Sequence, residues 1–383
     1  MGLLTPSRAL LAAGLLTGGG ACEAVIGADF DDVAPIETGS ADSGAPDADS
    51  GKCALARPPP PPALTNSGGD ADVWVIAKDV IFGEETTDKG TKPPSIGYDL
   101  DGLCANRGDP PPCQPQQGGD PTDGPKGEDN ATCAMVGDQW SVLGQQDPPL
   151  TSAIATAGVK SGKFSPLLIL RVLDWVAGYD DEQVTVEWYV ALPANLAPSG
   201  AFAPEFDGSD TWPVLSKSTG SSEPLKFVDE KAYVTGRVLV ARFPTAKIPL
   251  TTAFFDLQDA IVTGQLQLGQ DGKWTLSGGM IAGITAADEM LRLMPKFTQA
   301  LLGFPLCANI STYSQQIKPW VCASAEALLP GTPAGSGCNA MSVGVGFNGV
   351  EVKLGEAHTP PEPELCPPGA DPAVDTCAPA DGG

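Results

Sequence analysis

The sequence predicts a mainly β protein, with an antiparallel β-sandwich or jelly-roll-like domain and a small disulfide-stapled helical insertion. Short segments rich in β-branched and aromatic residues recur along the chain, and turn-forming residues separate them. A helical pattern is clear only late in the chain. The 383 residues include 10 cysteines, a number typical of exported proteins with disulfide bonds. Strands do not alternate with helices, which argues against a parallel α/β fold.

The predicted strands combine β-branched or aromatic residues with flanking turn residues. In Val184–Leu192, apolar and polar positions alternate, which predicts one buried side and one side facing solvent. Turns at Gln270-Asp271-Gly272 and at Asn348-Gly349 predict two hairpins. The predicted strands are Val73–Phe82, Leu167–Val176, Val184–Leu192, Tyr233–Arg242, Ile261–Leu268, Trp274–Gly278, Met341–Phe347 and Val350–Leu354.

The helical insertion is expected near residues 285–329. Thr285 and Asp288 fit a capping box, the pattern that often starts a helix. Apolar residues then recur at helical spacing from Met290 to Leu301, and Gly303 predicts the end of this helix. A second short helix is predicted from Pro319 onward.

The chain divides into four predicted parts. Residues 1–21 have one positive charge, a short apolar stretch and small residues, in the order of a signal peptide. Residues 22–69 form a flexible acidic and proline-rich tether, since they offer little apolar surface to bury. Residues 70–357 form the β domain, and residues 358–383 a Pro-, Asp- and Gly-rich irregular tail.

Cys22 is the predicted lipidation site. Gly20-Ala21-Cys22 matches the end of a bacterial lipobox, in which small residues precede the cysteine that becomes acylated. The pattern departs from the motif at Gly19, where leucine is preferred, and ordinary signal peptidase cleavage after Ala21 remains the alternative. Acylation of Cys22 would attach the protein to a membrane through a lipid anchor.

Charge and cysteine content exclude some functions. A formal net charge of −25 argues against nucleic-acid binding, which needs a basic surface. Bridges Cys307–Cys322 and Cys366–Cys377 are plausible from spacing, although spacing alone does not determine connectivity. The chain has no C-x-x-C motif, which weakens zinc and thioredoxin-like hypotheses. The disulfide candidates are Cys104, Cys113, Cys133, Cys307, Cys322, Cys338, Cys366 and Cys377.

The acidic loop Gly97–Asn130 is the candidate metal site. Calcium takes six to eight oxygen ligands, and this loop is rich in carboxylates and turn residues. The loop does not match an EF-hand, because Pro110 occupies the position of the closing glutamate. The alternative is an ordinary polar surface loop. The candidate ligands are Asp99, Asp101, Asp123, Asp129 and Asn130.

The sequence supports no assignment of catalytic residues. His358 is the only histidine, and no G-x-S-x-G motif occurs, so histidine-dependent catalysis is not expected. Acids beside tryptophans, as in Asp174-Trp175 and Glu187-Trp188, leave one enzymatic alternative, a glycan-acting hydrolase that uses an Asp/Glu pair. Non-catalytic binding of a glycan or a protein is the favoured hypothesis.

The layout resembles that of uncharacterised predicted lipoproteins of Gram-negative bacteria. The residues that carry this resemblance are Gly20-Ala21-Cys22, the acidic spacer Thr38–Gly51 and the stretch Gly97–Gly102. The resemblance implies no particular activity. We therefore expect an exported, envelope-associated module at the outer membrane, in the periplasm or on the cell surface. Its role would be binding or structural, with calcium as a stabilising ion.

Overall fold

A computed structural model describes residues 55–63, 68–83, 86–87, 90–91, 96–104, 110–115, 123–133, 135–136, 150–303, 305, 307, 310–360, 366, 372 and 375–377. The predicted signal peptide, the lipidation site Cys22 and most of the predicted tether lie outside these residues. All of these residues belong to one compact unit.

The described elements are mostly strands. The strands are β1 (Ala71–Ala77), β2 (Thr86–Thr87), β3 (Gly90–Thr91), β4 (Ile169–Trp175), β5 (Asp181–Tyr189), β6 (Thr211–Leu215), β7 (Lys226–Thr235), β8 (Val238–Leu250), β9 (Ala253–Leu268), β10 (Trp274–Ala286), β11 (Ala340–Glu351) and β12 (Lys353–His358). The helices are α1 (Ser152–Lys160), α2 (Ala287–Leu302), α3 (Ile310–Thr312) and α4 (Lys318–Ala323); a π-helical turn, Tyr313–Ile317, joins α3 to α4, and a 3-10 turn spans Ala194–Leu196.

The predicted mainly β, antiparallel architecture is confirmed. The large sheet has the strand order β1-β11-β10-β9-β8-β7-β5-β4, and β1 pairs with β4 so that the sheet closes into a barrel. Alternate side chains point inward and fill the interior, among them Trp188, Phe243 and Phe347. Side chains from opposite walls of the barrel pack against each other in its interior. The inward positions of the alternating sequence pattern are therefore buried.

A second, smaller sheet lies against the outside of β1, β4 and β5. It consists of β6 and β12 in parallel, and Trp212 of β6 packs in a cluster with Ile76, Ile169 and Tyr189. The prediction that the polar side of β5 faces solvent is therefore wrong near the end of that strand. Glu187 is 6% exposed and Tyr189 is 3% exposed, because this outer layer and the neighbouring side chains cover them.

One strand prediction and one hairpin prediction are wrong. The predicted strand Tyr233–Arg242 contains a turn, since Gly236 and Arg237 have φ values of 56° and 69° and connect β7 to β8. Asn348-Gly349, by contrast, is not a turn but part of the continuous strand β11. β1 and β10 pair with β11 on its two sides through this dipeptide, so that two neighbouring strands keep it extended. The hairpin joining Leu268 to Trp274 is confirmed.

The helical predictions are partly right. α2 ends at Gly303 as predicted, with the left-handed conformation typical of a glycine cap. The predicted start at Thr285 is wrong, because Thr285 belongs to β10 and the cap residue is Ala286, without a side-chain hydrogen bond. The second predicted helix corresponds to α4. The expectation of helix only late in the chain is wrong, since α1 lies much earlier and is capped by the Thr151 side chain.

Three disulfide bonds tie distant parts of the chain together: Cys113–Cys338, Cys307–Cys366 and Cys322–Cys377. They replace the pairings suggested by spacing, since each of the two tail cysteines bonds to a cysteine of the helical region. Cys104 is also disulfide-bonded. The buried Cys133 takes part in none of these three bridges. Such bonds indicate an oxidising environment of the kind that exported proteins meet.

The last part of the predicted tether is attached to the domain. The Ala56 N–H donates to the carbonyl of Lys126, and the Ala56 carbonyl accepts from the Asp99 N–H at 2.8 Å. The Tyr233 hydroxyl donates to the carbonyl of Pro59. Within the described residues, no helix is both long enough and apolar enough to span a membrane.

Candidate cation site

The acidic loop lies on the outer face of β9, β10 and β11. Tyr98 is the main contact, because its ring packs with Ile261 and Ala282 and its hydroxyl hydrogen-bonds the Thr263 hydroxyl at 2.8 Å. Gly344 of β11 permits this close approach. A Cβ atom at residue 344 would lie 2.5 Å from the carbonyl oxygen of Ile96, so a larger side chain would push the loop away.

Asn130 anchors the loop to β11. Its Nδ2 donates to the carbonyl oxygens of Ile96 and Gly344, and its Oδ1 accepts from the N–H groups of Gly344 and Cys133. These four bonds occupy the two donor hydrogens and both lone pairs of the amide. The structure therefore does not bring Asn130, a predicted ligand, to the metal site; its side chain has a structural role.

Three of the predicted ligands, Asp99, Asp101 and Asp129, come together. One carboxylate oxygen from each lies within 4.8 Å of the other two. Asp129 and Asp99 are brought close by backbone pairing, since the Asp129 N–H donates to the carbonyl of Tyr98 at 3.0 Å. Asp101 lies two residues after Asp99, in the turn that the hydrogen bond from the Gly102 N–H to Asp99 closes. This arrangement explains how residues 30 positions apart in the sequence share one site.

Local hydrogen bonds fix the orientation of all three carboxylates. The Gly102 N–H donates to Asp99 Oδ1 at 2.6 Å, and the Leu103 N–H donates to Asp101 Oδ1 at 2.7 Å. The Leu100 N–H donates to Asp129 Oδ2 at 2.6 Å. Gly102 has a φ of 80°, a conformation that favours glycine, as the sequence pattern predicts for this turn.

The second oxygen of Asp99 is the anomalous atom of the site. The Asp99 side chain is 1% exposed, and its buried Oδ2 accepts no hydrogen bond. The nearest cation is the guanidinium of Arg57, at 3.6 Å and therefore beyond hydrogen-bonding distance. A buried carboxylate oxygen without such a bond is costly, and a bound cation would remove this cost.

A cavity of about 130 Å³ adjoins the three carboxylates. Asp101 and Asp129 line it, together with Glu326 and Ser342. The Glu326 carboxylate hydrogen-bonds the Ser342 hydroxyl. Sequence reasoning missed Glu326, which is far from the loop in sequence and has alanines on both sides. Its local sequence contains no pattern that could have identified it.

Burial and mutual repulsion shift two pKa values upward. Burial, followed by the charge of Asp101, raises the pKa of Asp129 to about 9, although the Leu100 N–H partly opposes the shift. Burial likewise raises the pKa of Glu326 to about 7, and the charges of Asp123 and Asp101 add to this effect. Ionising both groups is thus unfavourable without a counter-charge, and a divalent cation at the site would stabilise their charged forms.

Asp123, the remaining predicted ligand, is 5% exposed but lies outside the group of three carboxylates. Its charge still acts on both Asp129 and Glu326. The neighbouring turn is closed by Glu128, whose Oε2 accepts from the Lys126 N–H at 2.7 Å.

The acid–tryptophan pairs do not form an aromatic cleft. Adjacent residues of a strand point to opposite faces. The indoles of Trp188 and Trp175 are buried in the main core, whereas the Glu187 carboxylate lies on the outside of the barrel and pairs with Arg171 and Lys226. Trp212 is also fully buried. None of these three indoles is available at the surface to stack on a sugar.

Comparisons with known proteins identify no relative: no family model, no curated protein and no solved structure matches this chain.

Proposed function

We propose that this protein is an exported, non-catalytic binding or structural module whose folded domain is stabilised by a divalent cation bound to Asp99, Asp101 and Asp129. The buried Asp99 Oδ2, which has no hydrogen bond, is the observation that carries the proposal. It belongs to a group of carboxylates close enough to share one ion.

Calcium fits this site better than other common ions. The three candidate ligands are all carboxylates, and hard cations prefer oxygen. Calcium also tolerates irregular coordination, with water completing the shell, whereas magnesium requires a nearly ideal octahedron. The cavity beside the three carboxylates has room for such waters.

Export and anchoring form the second part of the proposal. The disulfide bonds support an oxidising location, and residues 1–21 have the layout of a signal peptide. We propose that Cys22 is acylated and holds the domain at the cell envelope, where it meets a glycan or protein ligand. Mass analysis of the mature N-terminus tests this proposal. Diacylglycerol on Cys22 supports it, and an unmodified N-terminus rules out the lipid anchor.

The calcium proposal is tested by thermal unfolding with calcium and with a chelator. A ligand that binds only the folded state at 100 times its dissociation constant stabilises the protein by about 2.7 kcal/mol. We expect calcium to raise the melting temperature of the unmodified protein by several degrees and to have little effect on Asp99→Asn. This substitution keeps an oxygen for the Gly102 N–H and removes the charge.

Asp271→Asn is the matched control, because Asp271 lies in the exposed turn between β9 and β10. This variant should respond to calcium like the unmodified protein. If calcium and chelator leave the melting temperature of the unmodified protein unchanged, the proposed cation site is wrong.

A further inference from the structure

We propose that Arg57 and the divalent cation compete for Asp99, so that this arginine sets the calcium concentration at which the site is occupied. This inference rests on the proposed function, since it assumes that an ion binds at Asp99, Asp101 and Asp129. Without the ion, the Arg57 guanidinium is the counter-charge of Asp99. When the ion binds, the guanidinium leaves Asp99 and turns toward solvent.

The backbone places Arg57 beside the site. The preceding residue, Ala56, forms two backbone hydrogen bonds at 2.8 Å, one of them from the Asp99 N–H to the Ala56 carbonyl. Two residues after Arg57, the Pro59 carbonyl accepts from the Tyr233 hydroxyl at 2.6 Å. Arg57 is therefore held between two attachment points. The position of its guanidinium next to Asp99 follows from these attachments.

The contact between Arg57 and Asp99 is an ion pair that a stronger cation can break. The guanidinium lies 3.6 Å from Asp99 Oδ2, beyond hydrogen-bonding distance, and the Arg57 side chain is 64% exposed. Ion pairs that reach solvent in this way are weak. A calcium ion carries two charges and approaches a carboxylate oxygen to about 2.3–2.6 Å, so its attraction to Asp99 Oδ2 is stronger.

The two cations exclude each other at this oxygen. An ion coordinated by Asp99 Oδ2 would lie within about 6 Å of a guanidinium that stays at 3.6 Å from the same atom. Two cations this close repel each other, and the low dielectric around a buried oxygen strengthens the repulsion. The Asp99 side chain is 1% exposed and is held by the Gly102 N–H, whereas Arg57 reaches solvent. Arg57 is therefore the group that moves.

This competition lowers the affinity of the site for calcium. The charge of the ligands is one of the properties that tune calcium affinity in proteins. An ion that binds must first break the pair between Arg57 and Asp99, and the free energy of that pair is subtracted from the free energy of binding. Because exposed ion pairs contribute little, we expect removal of the arginine charge to increase the affinity about two- to fivefold.

Calorimetric titration of the exported, disulfide-bonded protein with calcium chloride tests the inference. We expect Arg57→Gln to bind calcium about two- to fivefold more tightly than the unmodified protein. Arg57→Lys keeps the charge and should bind calcium with nearly unchanged affinity. The matched control is Lys126→Gln, which removes the same charge from the acidic loop. Lys126 is exposed and, among the described residues, forms no ion pair with Asp99, so its removal should increase the affinity by a smaller factor.

A second measurement follows the guanidinium itself by nuclear magnetic resonance. The Nε–H signal of Arg57 is assigned by its loss in Arg57→Gln. In calcium-free Asp99→Asn, this signal marks the unpaired side chain. Calcium should move the signal of the unmodified protein to that position. If calcium binds while the Arg57 signal stays in place, the inference is overturned, since the ion and the guanidinium then share Asp99.

The outcomes separate this inference from the proposed function. Tighter binding by Arg57→Gln than by Lys126→Gln, together with the moved signal, supports the competition. An affinity of Arg57→Gln equal to that of the unmodified protein, or an equal gain in both glutamine variants, overturns it but leaves the cation site intact. Binding by Arg57→Gln alone supports the competition and overturns the proposed stabilisation of the unmodified protein by calcium. No binding by any of these proteins overturns both proposals.

Discussion

At the scale of single residues, a charged network joins β1, β4 and β5 on the outside of the barrel. Arg171 donates two hydrogen bonds to Asp72, at 2.8 and 2.7 Å, and a third to Glu187 at 3.3 Å. Its guanidinium also lies 4.8 Å from the ring centroid of Trp74. Paired hydrogen bonds to one carboxylate give this arginine a fixed position.

The Asp72–Arg171 pair predicts a weak loss of stability in acid. Hydrogen bonds from Arg171 hold the pKa of Asp72 below its usual value of 3.8. A carboxyl whose pKa is lower in the folded state stabilises the fold above its unfolded pKa and loses this effect as the pH falls through the folded pKa. Because the Asp72 side chain is 46% exposed, we expect at most about 1 kcal/mol.

Urea unfolding at pH 7 and pH 3 measures this effect. At pH 7, Asp72→Asn should have a lower free energy of unfolding than the unmodified protein. At pH 3, the difference in the free energy of unfolding between the two proteins should be smaller. Glu223→Gln is the control, because Glu223 and Lys217 form an ion pair with both side chains more than 60% exposed. A pH-independent difference for Asp72→Asn would show that the carboxylate charge is not responsible.

The same scale shows which site residues the sequence could predict. Asp99 and Asp101 lie in a turn with Gly102, and their hydrogen bonds join residues only two or three positions apart. Because these contacts are local, the sequence can predict that the two carboxylates lie close together. Asn130 is also predicted as a ligand, but hydrogen bonds to Ile96 and to β11, which lies more than 200 residues away, occupy its amide. Glu326 could not be predicted, since only the folded sheet brings it to the cavity.

At the scale of elements, β11 determines where the loop rests. Its outward positions Ser342, Gly344 and Gly346 alternate with inward positions such as Val343 and Val345, which pack in the core. The Ser342 hydroxyl accepts from the Ala131 N–H at 2.8 Å. Small residues on this outer face thus leave space for the loop.

We expect Gly344→Ala to destabilise the loop and weaken calcium binding. The added Cβ would lie 2.5 Å from the Ile96 carbonyl and 2.7 Å from Asn130 Nδ2, so the loop must move. A loss of about 1–3 kcal/mol is expected for such overpacking. Gly346→Ala is the control on the same strand and face, with its nearest contact at 3.3 Å. Thermal unfolding and calcium titration of both variants measure the difference; equal effects would contradict the prediction.

The strands themselves were easier to predict than their connections. Alternation of apolar residues depends on one strand and is visible in the sequence, as at Val184 and Val186. Whether a dipeptide forms a turn depends on its neighbours in space. Asn348-Gly349 is held extended between two strands, and the Asn348 side chain accepts from the Gly278 N–H. Gly236-Arg237 instead has positive φ values at both residues and forms the turn between β7 and β8.

At the scale of the whole molecule, closure of the sheet joins the ends of the domain. β1 pairs with both β4 and β11, so that Val75 lies opposite Glu351. No local sequence pattern indicates this pairing, because it joins segments separated by most of the chain. The candidate cation site has the same character, since the acidic loop and β11 meet only in the folded protein. Calcium should therefore bind the folded state and stabilise the whole domain.

The disulfide bond beside Glu326 should contribute to calcium affinity. Cys113–Cys338 joins the loop region to the segment before β11, and Cys113 Sγ lies 3.0 Å from the backbone carbonyl oxygen of Glu326. Replacing both cysteines by serine frees the segment that carries Glu326. We expect a loss of about 2–5 kcal/mol in the free energy of unfolding. Calcium should also bind more weakly, because the ligands are no longer held in place before the ion arrives.

The tail disulfide Cys322–Cys377 provides the matched comparison. It holds the tail against the helices, where Asp375 accepts from the Tyr313 hydroxyl at 2.9 Å and from Lys318, and none of these residues lines the cavity. The double serine variant at this bridge should lose a similar amount of stability but bind calcium as the unmodified protein does. Calorimetric titration at a temperature where all three proteins are folded separates the two effects. Equal weakening in both double variants would mean that general loosening of the domain, rather than the position of Glu326, determines calcium affinity.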